Sequence, residues 1–192
     1  MVIALTGGIA SGKSTVGNII RGYGFNVVDF DNITNDLFRD ADVKAQLEDA
    51  FTSNIFNTAG DIDRSRLRKI VCDNSSDFDM LDDILASRIE HELGDLVIRS
   101  QMSSPRTFIE VPLLYESCLS WMFDNTAFVY AEKKLQLRRL IERGLSVREA
   151  EAMIARQDPP QAKAIMSQHT VLNIGTMTEL EETVRQLLLY IE

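Results

Sequence analysis

A glycine-rich segment near the start of the chain carries residue types suited to binding phosphate. Gly7 and Gly12-Lys13-Ser14 fit the pattern G-x-x-x-x-G-K-[ST], with a strand-like apolar run before it and a helical pattern after it. Small residues let the backbone wrap a polyphosphate, and the N–H groups and dipole of the following helix attract its charge. The predicted phosphate-binding residues are Gly8, Ile9, Ala10, Ser11, Gly12, Lys13, Ser14 and Thr15.

Two side chains in this segment predict which ligand it takes. Lys13 is expected to reach the β- and γ-phosphates of a nucleotide, and the Ser14 hydroxyl is expected to ligate Mg²⁺. No Asn-Lys-x-Asp sequence, typical of guanine recognition, follows in the chain. The expected nucleotide is therefore ATP, with Mg²⁺ as cofactor.

Carboxylates lie at the ends of the second and third predicted strands and just after them. Asp29 and Asp31 are two residues apart and so point to the same side, at the sheet edge where ligands of open α/β sheets bind. One of them can take a proton from an acceptor hydroxyl, and Asp31 and Glu110 are candidates to hold magnesium through water. Glu116 is a candidate for substrate contact. The alternatives are that the aspartates cap a loop or helix and that the glutamates face solvent.

Arg139 and Arg143 lie four residues apart in a basic segment, and thus on one helix face. The planar guanidinium can donate two hydrogen bonds to a phosphate at once, so a closing helical hairpin could bring this charge to the transferring group. The alternative is a charged helix face that only meets water.

Strands and helices alternate along the chain, which predicts an α/β fold with a mostly parallel sheet. A helix at the carboxyl end is expected to pack on the sheet, with Thr178 and Glu181 as its capping box. A second capping box is expected at Ser146 and Glu149, after a turn at Gly144. The five expected strands are Val2–Thr6, Asn26–Phe30, Thr107–Val111, Thr126–Ala131 and Thr170–Asn173.

Three segments of a single domain are expected from these patterns. The core comprises residues of about 1–60, 106–131 and 161–192. An acceptor-binding insertion of about 61–105 carries three or so helical patterns, far more than a minimal strand crossover needs. A lid of about 132–160 carries the basic segment, in which Lys133 to Arg156 hold seven of the chain's 20 Lys and Arg residues.

Taken together, these motifs resemble the bacterial dephospho-coenzyme A kinase family along almost the whole chain. The phosphate segment alone is shared by many ATPases, whereas the combined order and spacing are specific to this family. The segments that carry the resemblance are Leu5–Thr15, Val28-Asp29-Phe30-Asp31, Gly60–Asp73, Pro112-Leu113-Leu114-Tyr115-Glu116, Gln136–Leu140 with Arg143 and Gln157, and Asn173-x-Gly175.

The resemblance implies a three-layer P-loop kinase fold with a five-stranded parallel core sheet, a helical substrate-binding insertion and a helical lid. It implies phosphorylation of the ribose 3′-hydroxyl of dephospho-coenzyme A by ATP, the last step of coenzyme A synthesis. Asp31 is then the general base, and Arg139 or Arg143 supplies charge from the lid. Asn173 and Gly175 lie on the adenine side, and Pro112, Leu113, Glu116 and Asp31 on the acceptor side.

The chain departs from the family pattern at three places. Ala86-Ser87 stands where the family usually has His-Pro, and Met153 where it commonly has Arg. Ser167-Gln168 replaces Ala-Asp before the last strand. None of these positions lies in the phosphate segment, and the first lies in the insertion where the acceptor is expected to bind.

Composition limits the other partners. The net charge of −9 argues against broad nucleic-acid binding and against adhesion to an anionic membrane. Two distant cysteines indicate neither a disulfide scaffold nor a zinc site, so a cytoplasmic protein is expected. No exposed heptad or long unpaired edge is visible in the sequence, and a monomer or weak homo-oligomer is expected. Two alternative functions stay open at this point: a nucleoside or deoxynucleoside monophosphate kinase, and a regulator that binds ATP without transferring phosphate.

Overall fold

The computed structural model describes residues 1–30, 36–51, 55–103 and 106–191, apart from four side chains (Arg68, Cys72, Asp73 and Ser75). Within these residues, the chain divides by packing into two compact units. One comprises Met1–Phe30 and the chain from Leu96 onward, and the other comprises Asp31–Asp95. The predicted core, insertion and lid are functional divisions, and they remain a prediction.

A five-stranded parallel sheet forms the centre of the first unit, as predicted. The strands are β1 (Val2–Gly7), β2 (Asn26–Asp29), β3 (Thr107–Glu110), β4 (Asn125–Tyr130) and β5 (His169–Leu172). They run in the order β2-β3-β1-β4-β5, and each lies within one residue of its predicted position. Every residue of β1 is buried, as expected for a central parallel strand with helices on both faces.

The strand order reverses beside β1, which pairs with β3 on one side and β4 on the other. Since all strands are parallel, the ends of β1, β2 and β3 share one edge of the sheet, and Asp29 pairs in register with Glu110 there. Ligands of open α/β sheets bind at such a switch point. This edge therefore carries the predicted phosphate loop and the predicted acceptor residues that follow β3.

The helices of the first unit start at identifiable signals. The last helix, α8 (Met177–Tyr190), begins at a capping box formed by Thr176 and Glu179, so the prediction of Thr178 and Glu181 was wrong. Thr178 lies inside the helix. The second predicted box, Ser146 with Glu149, is confirmed. The helices of this unit are α1 (Lys13–Gly22), α5 (Lys133–Glu142), α6 (Val147–Ala155), α7 (Pro160–Met166) and α8 (Met177–Tyr190), with a short 3₁₀ turn at Ser120–Met122.

One hydrophobic core joins α1 and α8 to the sheet. Leu5 and Phe108 contribute from the strands and Val16 and Ile20 from α1. The buried stripe of α8 is the predicted one: Leu180, Val184, Leu187, Leu188 and Ile191. This core thus fixes α1, which begins where the loop after β1 ends, against the sheet.

The second unit is helical and has its own core. Among its described residues, the helices with defined bounds are α2 (Ala41–Phe51), α3 (Arg64–Asp73) and the first part of α4 (Ser75–Ser103). Two helices thus occupy the region where three or so patterns were expected. Ala86 and Ser87 lie inside α4. Because Ser87 keeps the backbone N–H that proline lacks, the helix runs through this point without a break. No described helix is both long and apolar enough to cross a membrane.

Candidate active site

The loop between β1 and α1 adopts a conformation that suits anion binding. Ala10 and Gly12 have φ angles of 56° and 94°, and the Ser11 N–H donates to the Gly8 carbonyl at 3.0 Å. Gly12 is the residue before α1, and no side-chain hydrogen bond caps the helix there. The first-turn N–H groups of a helix have no acceptor within the helix, so an N-terminus of this kind can bind an anion.

Two side chains from outside the loop bind the carbonyl groups of Ala10 and Ser11. Arg139 on α5 donates to the carbonyls of Ala10 and Ser11 at 3.0 and 3.1 Å. The Asn173 amide, just after β5, donates to the Ser11 carbonyl at 2.7 Å and accepts from Arg139 at 3.4 Å. Because these carbonyl oxygens accept hydrogen bonds from outside the loop, a phosphate bound in the loop is repelled less by their partial negative charge.

Glycine is required at position 12 for two reasons. Its φ of 94° lies in the left-handed region, where other residues are strained. A Cβ atom there would also collide with the side-chain amide of Asn173. The loop and the segment after β5 are thus fitted to each other, although 160 residues of sequence separate them.

The predicted adenine-side residues lie in the same cleft as the phosphate loop. The cleft has a volume of about 190 Å³. It is lined by Ala10, Gly12, Thr15, Arg139, Arg143, Asn173, Gly175, Thr176, Met177 and Leu180. The structure therefore brings Arg139, Arg143, the loop and Asn173-x-Gly175 together around one space.

Positive charge accumulates at this cleft. Burial lowers the pKa of the Arg139 guanidinium from its ordinary value, and the neighbouring Arg138 and Arg143 lower it further. Arginine nevertheless stays protonated in proteins. Binding of an anion offsets the electrostatic repulsion among these neighbouring guanidinium groups, so the cleft favours a polyphosphate.

Glu110 sits at the end of β3, below the loop and almost fully buried, with 2% of its surface exposed. Its carboxylate accepts from Arg21 on α1 at 3.3 Å. Burial raises its pKa; nearby Lys13 opposes that shift, Asp29 adds to it and Arg21 opposes it. These interactions place Lys13, Asp29 and Glu110 in one electrostatic cluster, while the predicted link from Glu110 to magnesium through water stays a prediction.

The donors near the loop suit a hard cation. The Ser14 side chain is exposed on the first turn of α1, and Asp29 ends β2 at the same sheet edge. Hydroxyl and carboxylate oxygens are the ligands that Mg²⁺ prefers. Among the described residues, no group of three or more His, Cys, Asp or Glu forms a metal cage. In nucleotide sites, Mg²⁺ usually takes many of its ligands from phosphate oxygens and water.

The predicted acceptor residues follow β3. The Thr6 hydroxyl donates to the Pro112 carbonyl at 3.3 Å, and 38% of the Leu113 surface is exposed. Glu116 forms an ion pair with Lys163 on α7, which is 1% exposed. Sequence reasoning did not find Lys163, because a lysine in a short helix is usually in solvent. Asp31, the predicted base, lies outside the described residues.

The Ser167-Gln168 departure lies near the opposite end of the sheet. The Gln168 side-chain carbonyl accepts from the Thr126 N–H and hydroxyl at 2.9 and 2.6 Å, near the start of β4. Ser167 shares a 2.6 Å hydrogen bond with the Tyr115 hydroxyl. These residues therefore make contacts that stabilise the fold. The Met153 departure places a half-buried side chain on α6.

The sheet order, the phosphate loop between β1 and α1 and the helical hairpin α5–α6 together define a P-loop kinase. Solved structures share this fold. TT1252 from Thermus thermophilus superposes with a TM-score of 0.81 at 26% identity, covering 100% of this chain and 98% of that one. Dephospho-CoA kinase from Campylobacter jejuni superposes with a TM-score of 0.72 at 22% identity, covering 99% and 96%.

Sequence comparison then identifies the family. The dephospho-CoA kinase (CoaE) family model matches residues 1–179. The dephospho-CoA kinase of Geobacillus kaustophilus is 37% identical over 193 residues, covering 98% of this chain and 94% of its relative. The chain belongs to the dephospho-CoA kinase family, and the predicted resemblance is confirmed. Membership makes it a kinase of coenzyme A biosynthesis that uses ATP to phosphorylate dephospho-CoA.

Proposed function

We propose that this chain transfers the γ-phosphoryl group of ATP, bound with Mg²⁺, to the ribose 3′-hydroxyl of dephospho-CoA. The observation that carries the proposal is the cleft in which the phosphate loop, Arg139, Arg143 and Asn173 meet. Phosphoryl transfer needs chiefly positioning and charge stabilisation, and this cleft supplies both. The proposal takes its acceptor from family membership.

On the ATP side, the loop amides and the first turn of α1 bind the phosphates. Lys13 reaches the β- and γ-phosphates, the Ser14 hydroxyl holds magnesium, and Thr15 adds a hydroxyl near the α-phosphate. Asn173 and Gly175 border the adenine. Bound Mg²⁺ neutralises phosphate charge. Arg139 and Arg143 add positive charge from the lid. This charge lowers the barrier by attracting the transferring phosphoryl group more strongly in the transition state than in the ground state.

On the acceptor side, Asp31 aligns the ribose 3′-hydroxyl and accepts its proton. The hydroxyl oxygen forms a bond to the γ-phosphorus as the bond from that phosphorus to the bridging oxygen of ADP breaks. The products are coenzyme A and ADP, and the proton leaves Asp31 to solvent. Pro112 and Leu113 contact the acceptor after β3. The helices of the predicted insertion bind the remainder of this substrate.

The proposed location and assembly rest on the sequence. The two distant cysteines suit a reducing compartment, so we propose a cytoplasmic enzyme. We propose a monomer or weak homo-oligomer that acts on small molecules, without nucleic acid or membrane.

An acceptor panel tests the proposal. ADP release is measured with MgATP and either dephospho-CoA, a set of nucleoside monophosphates or no acceptor, and the Lys13→Ala variant serves as the inactive control. We expect release with dephospho-CoA alone and a product heavier by one phosphate. Preference for a monophosphate would leave the kinase class intact and contradict the acceptor. ATP binding without acceptor-dependent release would favour the regulator.

A further inference from the structure

The peptide groups on both sides of Ile9 are held by two glutamine side chains of the lid hairpin. Gln136 on α5 donates to the Ile9 carbonyl at 2.9 Å, and the Ile9 N–H donates to the Gln157 side-chain carbonyl at 2.7 Å. Gln157 comes just after Arg156, the residue that caps the end of α6. The two helices of the hairpin thus fix one residue of the phosphate loop from both of its backbone polar groups.

The backbone beside Gln157 is fixed in turn. The next residue, Asp158, donates its N–H to the Glu116 carboxylate at 3.2 Å. Glu116 also forms the ion pair with Lys163 of α7. A continuous set of contacts therefore leads from Lys163 through Glu116 and Asp158 to Gln157, and from there to the loop at Ile9.

The ion pair is poorly explained by stability alone. The Lys163 side chain is 1% exposed and that of Glu116 is 17% exposed, so both charges have lost most of their water. The cost of removing water from such a pair can cancel its attraction, whereas its fixed geometry is retained. Beside it, Tyr115 bonds to Ser167, the residue after α7. Tyr115 and Glu116 thus hold the segment after β3 to Ser167 and to α7, respectively.

We propose that Gln157 is a positioning residue for the phosphate loop, and that Glu116 and Lys163 act through it. This inference rests on the proposed use of ATP. A loop already held in its binding shape loses less conformational freedom when the nucleotide arrives. Glu116 then serves the ATP side of the reaction instead of contacting the acceptor. Gln157 affects MgATP binding and leaves the phosphoryl-transfer step and acceptor binding unchanged.

A binding measurement on Gln157→Met tests the first half of the proposal. Methionine keeps the length of the side chain and removes the acceptor of the Ile9 N–H. Isothermal titration with MgATP, without acceptor, should give a Kd about five- to tenfold higher than in the wild type, the scale of one neutral hydrogen bond. The Kd for dephospho-CoA should stay within twofold. Unchanged or tighter MgATP binding overturns the proposal.

Gln186→Met provides the matched control. Gln186 is an exposed glutamine on α8 whose side chain donates to Glu182 at 2.8 Å, away from the loop. The same change there should leave the Kd for MgATP within twofold. An equal loss of MgATP affinity in Gln186→Met would mean that the effect comes from replacing any glutamine, and would overturn the role of Gln157.

A double variant tests the second half. Glu116→Gln/Lys163→Met removes both charges together, so no unpaired charge is left buried. It should raise the Kd for MgATP about as much as Gln157→Met, and adding Gln157→Met to it should cause little further loss. Additive losses, or a double variant that binds MgATP normally, overturn the coupling. These titrations contain no acceptor, so a wrong acceptor assignment would leave their outcome unaffected.

Discussion

The phosphate loop and the segment at 112–116 both follow strands that end at the same edge of the sheet, yet they depend on the rest of the chain in different ways. The loop carries its chemistry in contiguous residues and in its own backbone, and its motif can be recognised without any partner. The segment after β3 is fixed by remote partners, since Tyr115 bonds to Ser167 and Glu116 pairs with Lys163. A binding loop can be identified from contiguous residues of the sequence, whereas the distant residues that position it cannot.

Removing the loop lysine should cause the largest loss. Lys13→Ala deletes a charge that serves the bound ATP and the transition state alike, so we expect kcat/KM to fall by about 10³-fold and ATP binding to weaken. Steady-state kinetics and MgATP titration measure both. Normal kinetics in this variant would remove the loop from the active site.

The acceptor side should respond differently. Asp31→Asn removes the proposed base and keeps the size of the side chain, so kcat should fall by about 10²-fold or more while the Kd for MgATP changes little. Kinetics with dephospho-CoA and a parallel MgATP titration separate these effects. Near-normal turnover would exclude Asp31 as the base.

The lid should lie between these extremes. Arg139→Gln removes a cation that bonds to the carbonyls of Ala10 and Ser11, so kcat/KM should fall about 10- to 100-fold, the scale of a charge-assisted hydrogen bond. Arg143→Gln is the matched comparison, because Arg143 lines the cleft and is exposed. A larger loss of kcat/KM in Arg143→Gln than in Arg139→Gln would identify Arg143 as the arginine that contributes more to phosphoryl transfer.

The smallest expected effect is a pH dependence of stability. Burial raises the pKa of Glu110 above its ordinary value, so its contribution to stability is present at low pH and is lost as the pH rises through that raised pKa. Glu110→Gln removes this titration. The melting temperature of the variant relative to the wild type should therefore rise between pH 4 and pH 8. A difference that falls or stays constant over this range would contradict the shift.

Local patterns predicted the fold well where the physical cause is local. Buried parallel strands are apolar along their length, and all five were found within one residue. The capping box of α8 was placed two residues late because Thr176 and Thr178 are each followed three residues later by a glutamate. Thr176 has the extended backbone of a residue that precedes a helix, with ψ of 167°. That conformation is set by the turn after β5 and not by the two competing pairs.

The remaining part of the site could not be predicted from spacing. Glu116 and Lys163 are far apart in sequence, and each charge by itself predicts a side chain in solvent. Gln157 is among the residues that carry the family resemblance, but its role could not be predicted, because that role depends on reaching the Ile9 N–H. Contacts of this kind depend on where α6 ends and α7 begins, which only tertiary packing determines.

The position of the new phosphate on the product tests the central claim most directly. The purified protein is incubated with MgATP and dephospho-CoA, and the product is followed by ³¹P NMR spectroscopy. We predict one new phosphomonoester signal, coupled to the ribose 3′ proton, that grows in step with ADP. ADP without a new phosphomonoester, or a phosphate elsewhere on the acceptor, would contradict the proposed transfer to the 3′-hydroxyl.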